Sequence, residues 1–168
     1  MATITPGTDS TFKTETAEGR AIEAICYLQL QESLTENNSS GRDAIQATFD
    51  LTDNTFSGTY AIPAEQGFSA TGGLTISAVP YLQNVSISPG TNAPSFKSQT
   101  LEAYVLEVLM YLQAWERNTA KNPQSRNYIT GSFNSDTGIY QGTFTLPISL
   151  VLDATGKASF SAVEYLLT

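Results

Sequence analysis

Among the charged residues that recur in pairs, four are the first candidates for chemistry. Glu23 and Glu107 stand amid apolar neighbours, while Arg42 and Arg126 precede the first strand-like run that follows each helical stretch. Carboxylates set among apolar groups either meet a cation or shift their proton affinity. The reading adopted is a structural ion pair in each half, Glu23 with Arg42 and Glu107 with Arg126, tying helix to sheet. Glycosidase chemistry from Asp50, Asp53 or Asp136 would need two converging carboxylates, and hairpin turns do not supply them. The tyrosine pairs Tyr27/Tyr111 and Tyr81/Tyr165 read as amphipathic residues at the core edge, with the hydroxyl turned to solvent.

Other chemistries lack their residues. The chain has no histidine, which removes Ser–His–Asp and Cys–His catalysis and imidazole-bound zinc. Cys26 is the only cysteine, so neither an intrachain disulfide nor a thiolate metal site can form within the chain, and it reads as an apolar helix position. No glycine-rich phosphate cradle and no EF-hand spacing occurs, so no cofactor and no metal is expected. The net charge is −8, unevenly spread: residues 1–84 carry ten acids and three bases (−7), residues 85–168 six acids and five bases (−1). Such a balance argues against nucleic acid as partner. No apolar run is long enough to span a membrane and no signal peptide is evident, so the expected location is cytoplasmic by default.

The elements that must position these residues are written twice. Phe12–Leu82 and Phe96–Leu166 align without gaps at a spacing of 84, with 25 of 71 positions identical. Ahead of them, ATITPGT (Ala2–Thr8) matches VSISPGT (Val85–Thr91). Residues 1–84 and 85–168 therefore read as two repeats within one domain. Each opens with a short alternating run, Thr3–Thr5 or Ser86–Ser88, stopped by Pro6-Gly7 or Pro89-Gly90. A helix follows, over about 14–34 and 98–118 by its apolar spacing, capped by Thr14 or Thr16 and by Ser98 or Thr100. Three strand-like runs complete the unit. The middle ones, Phe56-Gly58-Tyr60-Ile62 and Tyr140-Gly142-Phe144-Leu146, run on past Pro63 and Pro147, which mark a bulge or an edge.

The fold expected is α+β: two tandem βαβββ units about a pseudo-twofold, antiparallel sheet on one side and two helices side by side on one face. Leu101, Val105, Leu109, Leu112 and Trp115 form the broad apolar stripe of the second helix, as core or as an interface. Small residues in the first helix, Ala17, Gly19, Ala21 and Ala24, let the two approach closely, with the bulky second helix the more deeply buried.

In topology alone, this order resembles the DNA sliding-clamp (processivity-factor) domain, where two such units pair about a pseudo-twofold. The resemblance implies a ring whose helices face duplex DNA with Lys and Arg. Here the helical stretches and their flanks carry eight acids, Glu15, Glu18, Glu23, Glu32, Glu36, Glu102, Glu107 and Glu116, against Lys13, Arg20, Lys97 and Arg117. That balance disfavours a DNA channel. The expected role is instead a non-enzymatic structural or assembly subunit of viral or phage kind that forms a homo-oligomer. The alternatives are a small-molecule binding module and a clamp-like ring without a strong DNA-binding surface.

Overall fold

The computed structural model describes residues 3–4, 12, 14–87, 96–152 and 154–167. In chain order the elements are β1 (Thr3–Ile4), α1 (Ala17–Glu32), β2 (Ile45–Asp50), β3 (Thr55–Phe68), β4 (Leu74–Ala78), α2 (Leu101–Glu116), β5 (Ser132–Asn134), β6 (Ile139–Leu152) and β7 (Ala158–Ala162). The fold is α+β, and every strand pairing is antiparallel. The two turn dipeptides Pro6-Gly7 and Pro89-Gly90 lie outside the described residues. Ser86 and Ile87, expected to open a second unit as a strand, are in no strand, and Ser88 lies outside the described residues.

The helices start where their caps place them. Thr16 and Thr100, in extended backbone, accept from the Gly19 and Ala103 N–H groups at 3.0 and 3.3 Å. Glu18 and Glu102 in the first turn favour the positive end of the helix dipole.

The sheet is built around β3 and β6, which pair along residues 55–63 and 139–147. Alternation sorts their faces. Phe56, Tyr60 and Ile62, with Tyr140, Phe144 and Leu146, are buried, while Thr59, Gln141, Thr143 and Thr145 are exposed. Gly58 and Gly142 sit where a Cβ would collide with the carbonyls of Gln46 and Thr130, so only glycine lets the neighbouring backbone lie so near.

Both long strands change neighbours at their proline. Ala61 N–H donates to the Ala44 carbonyl beside β2; two residues on, the Pro63 carbonyl accepts from Val79 N–H at the end of β4. Pro147 does the same between Tyr128 and Val163. A residue with no N–H falls in the seam between two partner strands, where none is needed. Beyond the seam, β3–β4 and β6–β7 continue as hairpin arms closed by the loops Ala70–Gly72 and Ala154–Gly156. Gly72 and Gly156 hold φ of +85° and +84° there, the left-handed conformation of a three-residue hairpin loop.

The helices pack on each other and on the buried sheet face, and one core cluster contains both. Leu101, Val105, Leu109 and Leu112 are all buried, and Trp115 is half-buried. The expected order of burial is reversed: eleven of the sixteen α1 residues are buried against eight of sixteen in α2. The small side chains of α1 draw its backbone into the core, whereas Met110, Tyr111 and Trp115 on the later turns of α2 reach the surface.

Candidate functional site

The polar side chains that the structure draws together are carboxylates, and they bind backbone. At the end of α1, Glu32 accepts from the Ala44 and Ile45 N–H groups at 3.0 and 3.3 Å and from the Tyr81 hydroxyl. At the end of α2, Glu116 accepts from Tyr128 and Ile129 N–H at 3.0 and 3.2 Å and from the Tyr165 hydroxyl at 2.7 Å. Each latch joins a helix to the start of the following strand and to the segment that closes the sheet. The tyrosine hydroxyls, expected to point to solvent, turn inward to these acids, because a phenol is the donor a half-buried carboxylate needs.

A second pair reaches across the molecule. Glu102 on α2 accepts from Tyr81 and Leu82 N–H at 2.7 and 2.8 Å, and Glu18 on α1 accepts from Tyr165 and Leu166 N–H, both at 2.9 Å. Both carboxylates are buried and are positioned by the first turns of their helices. Each helix thereby holds the strand exit of the other half of the chain.

Glu23 and Arg42 serve different ends of α1. The Glu23 carboxylate takes the Thr14 N–H, at 3.0 Å, and the Thr14 hydroxyl. Glu107 likewise accepts from Lys97 and Ser98 N–H at 2.9 and 3.3 Å. The Arg42 guanidinium lies 5.7 Å from the centre of the Tyr81 ring, and Arg126 stands over Tyr128 while donating to its hydroxyl and to Gln124. Ties from helix to sheet are made by Glu32 and Glu116, to backbone N–H groups. Their recurrence, with that of Tyr81 and Tyr165, was the signal available in the sequence.

Where the helices cross, Arg20 is fully buried. Its Nε donates to the Thr14 carbonyl and its Nη1 to the Tyr104 hydroxyl at 2.7 Å, while Nη2 has no hydrogen-bond partner among the described residues. Arg20 and Tyr104 stand 84 residues apart, at matching positions.

Burial sets the proton affinities. It raises Glu32 and Glu116 above the ordinary value, against the bonds from Tyr81 and Tyr165 that lower them. Tyr81 and Tyr165 are pushed up by burial and by those same glutamates. Burial, with Glu23 nearby, pushes the Cys26 thiol up to about 12, so it stays protonated and unreactive near neutral pH.

Two open clefts flank the latches. One, of about 650 Å³, lies beside α2 and is lined by Gln113, Glu116, Arg117, Arg126 and Asn127. The other, of about 520 Å³, lies beside α1 at the matching residues Gln29, Glu32, Ser33, Arg42 and Asp43. The first carries two arginines and one acid, the second one arginine and two acids. A smaller apolar pocket of about 250 Å³ is lined by Ala17, Tyr111, Trp115 and Leu166. Among the described residues no three acids or cysteines gather as a metal site, and no helix is long and apolar enough to cross a membrane. No known protein family, curated protein or solved structure matches the chain.

Proposed function

We propose that the chain is a non-enzymatic structural subunit that self-associates, built from two copies of one βαβββ unit related by a pseudo-twofold axis. The duplication is supported by bonds that recur at one spacing. Glu18/Glu102, Glu32/Glu116 and Asn38/Asn122 each hold partners 84 residues apart. Positive φ recurs at Gly41 and Ser125, Asn54 and Gly138, and Gly72 and Gly156. An axis through the middle of the sheet would pass between Thr59 and its facing residue Thr143, and on through Arg20 and Tyr104.

The observation that carries the functional reading is where apolar surface is left over. Four of the five stripe residues of α2, all but Trp115, are buried inside the chain, but the hairpin arms end in exposed apolar residues: Phe68 (73% exposed) and Leu74 on one, Val151 and Leu152 on the other. Large apolar groups gathered at projecting tips mark contact sites more often than inert surface. The recurring carboxylates and tyrosines meanwhile hold the chain's own backbone, the work of a rigid building block. Multi-angle light scattering of the full chain across micromolar concentrations is expected to show a mass above the monomer's. A monomer throughout would remove the reading. Duplex DNA at low salt is expected not to bind, and measurable affinity would favour the clamp-like alternative.

A further inference from the structure

An antiparallel sheet that does not close has outer edges, and each must be dealt with. Several outer edges in this sheet are bonded at least in part by other groups of the chain. On β2, the outward Ile45 N–H donates to Glu32 and the outward Ala47 carbonyl accepts from the Gln29 side-chain amide at 3.0 Å. Beside β5, the Ile129 N–H donates to Glu116 and the Gly131 carbonyl accepts from Gln113, also at 3.0 Å. The edge of β7 is covered by β1, with Ile4 opposite Phe160.

The outer edge of β4 differs from these. Its bonds to β3 fall on odd residues, as Val79 N–H to the Pro63 carbonyl and Ser69 N–H to the Gly73 carbonyl place them. By alternation, Leu74, Ile76 and Ala78 direct their N–H and C=O groups outward. Among the described residues β4 pairs with β3 alone. Ser86 and Ile87, which match Thr3 and Ile4 in sequence, are in no strand and do not pair with this edge. Nor does this edge carry the usual guards, since Leu74-Thr75-Ile76-Ser77-Ala78 has no charge, no proline and no bulge.

We infer that this open edge is where two copies of the chain join, β4 against β4, about a twofold centred on Ile76. The inference rests on the self-association proposed above and names its surface. In an antiparallel ladder the outward residues face one another, Ile76 opposite Ile76 and Leu74 opposite Ala78, which yields about six backbone bonds. The side chains fit the same register. Phe68 and Leu74 are cross-strand neighbours, as are Ala64 and Ala78, and all lie on one face of the arm. Pairing at Ile76 therefore sets the exposed Leu74 of each copy beside the small Ala78 of the other. Charge opposes the same occupant least at this edge. A chain of net charge −8 repels its own copies, and the arm from 64 to 79 contains a single charged residue, Glu65. Because such a contact uses the same edge of both copies about its own twofold, it closes at two copies.

Hydrogen exchange on the full chain, together with one substitution, tests this. Ile76→Pro removes an N–H that points away from β3, so the hairpin keeps its own ladder. In the wild type, the Ile76 amide is expected to be protected in concentrated samples and to exchange at least about tenfold faster on dilution, while Thr75 and Ser77 stay protected in both. Ile76→Pro, and separately Phe68→Glu, are expected to return the mass to that of one chain. Should Ile76→Pro fail to fold, Phe68→Glu and the wild-type exchange pattern decide. An assembled wild type whose Ile76 amide exchanges alike at all concentrations, or a Phe68→Glu variant that stays assembled, overturns the β4 contact and leaves self-association standing. A wild type that is monomeric throughout overturns both.

Discussion

Ser125 holds φ at +53°, a region that disfavours any residue with a Cβ, while its counterpart Gly41 holds +63° with no such penalty. No atom outside the local chain lies within 4 Å of where a Cβ on Gly41 would stand, so the turn itself and not packing selects glycine there. Ser125→Gly is therefore expected to stabilise the chain by about 0.5–1 kcal/mol in urea denaturation, and a loss of stability would show that the serine side chain serves the turn. The latches give a pH signature. Because burial lifts Glu32 and Glu116 above 4.5 in the folded chain, that state binds their protons more tightly than the unfolded one. Their contribution to stability is full below the unfolded value and is lost as pH rises through the folded one. The melting temperature is expected to rise from about pH 7 to about pH 5, and Glu32→Gln with Glu116→Gln to flatten that rise. A wild type and double variant with the same slope would contradict the assignment. Both glutamates were visible in the sequence as recurring residues, yet their partners were not. A carboxylate that accepts from backbone N–H groups leaves no complementary side chain to find, whereas the opposite charges of Glu23 and Arg42 suggest a pair.

At the scale of elements, apolar spacing and turn residues carried the reading well. The helices begin at Thr16 and Thr100 because a threonine cap followed by glutamate in the first turn is a local signal. Strand alternation placed Phe56, Tyr60, Phe144 and Leu146 on the buried face. What failed was relative depth and the second opening strand. Burial of α1 depends on how closely two backbones approach, and the freedom of Ser86–Ile87 depends on how the preceding Tyr81–Leu82 segment is tied to Glu102. Neither distance is written in a local pattern. The glycines of the central strands make a sharper case. A Cβ on Gly58 would meet the Gln46 carbonyl, which is backbone and cannot turn aside. Gly58→Ala is expected to cost about 1–3 kcal/mol, the range of overpacking, measured by chemical denaturation. A neutral outcome would mean that β2 and β3 lie further apart than described.

For the whole molecule, a chain this acidic gains little from a polar surface meeting its own copy, so contact must come where charge is absent. The arms beyond Pro63 and Pro147 provide such places, and the β4 arm couples exposed apolar side chains to a strand edge with no strand partner among the described residues. The broad stripe of α2 carries the sequence-based expectation of self-association. The three-dimensional arrangement moves that expectation to the arms, because the stripe, all but Trp115, is buried inside the chain, and an edge left uncovered is a property of topology. Sedimentation equilibrium of the full chain across micromolar concentrations tests the claim most directly. The account predicts a reversible rise towards twice the chain mass of 18.1 kDa. A single species of 18.1 kDa at every concentration would contradict it.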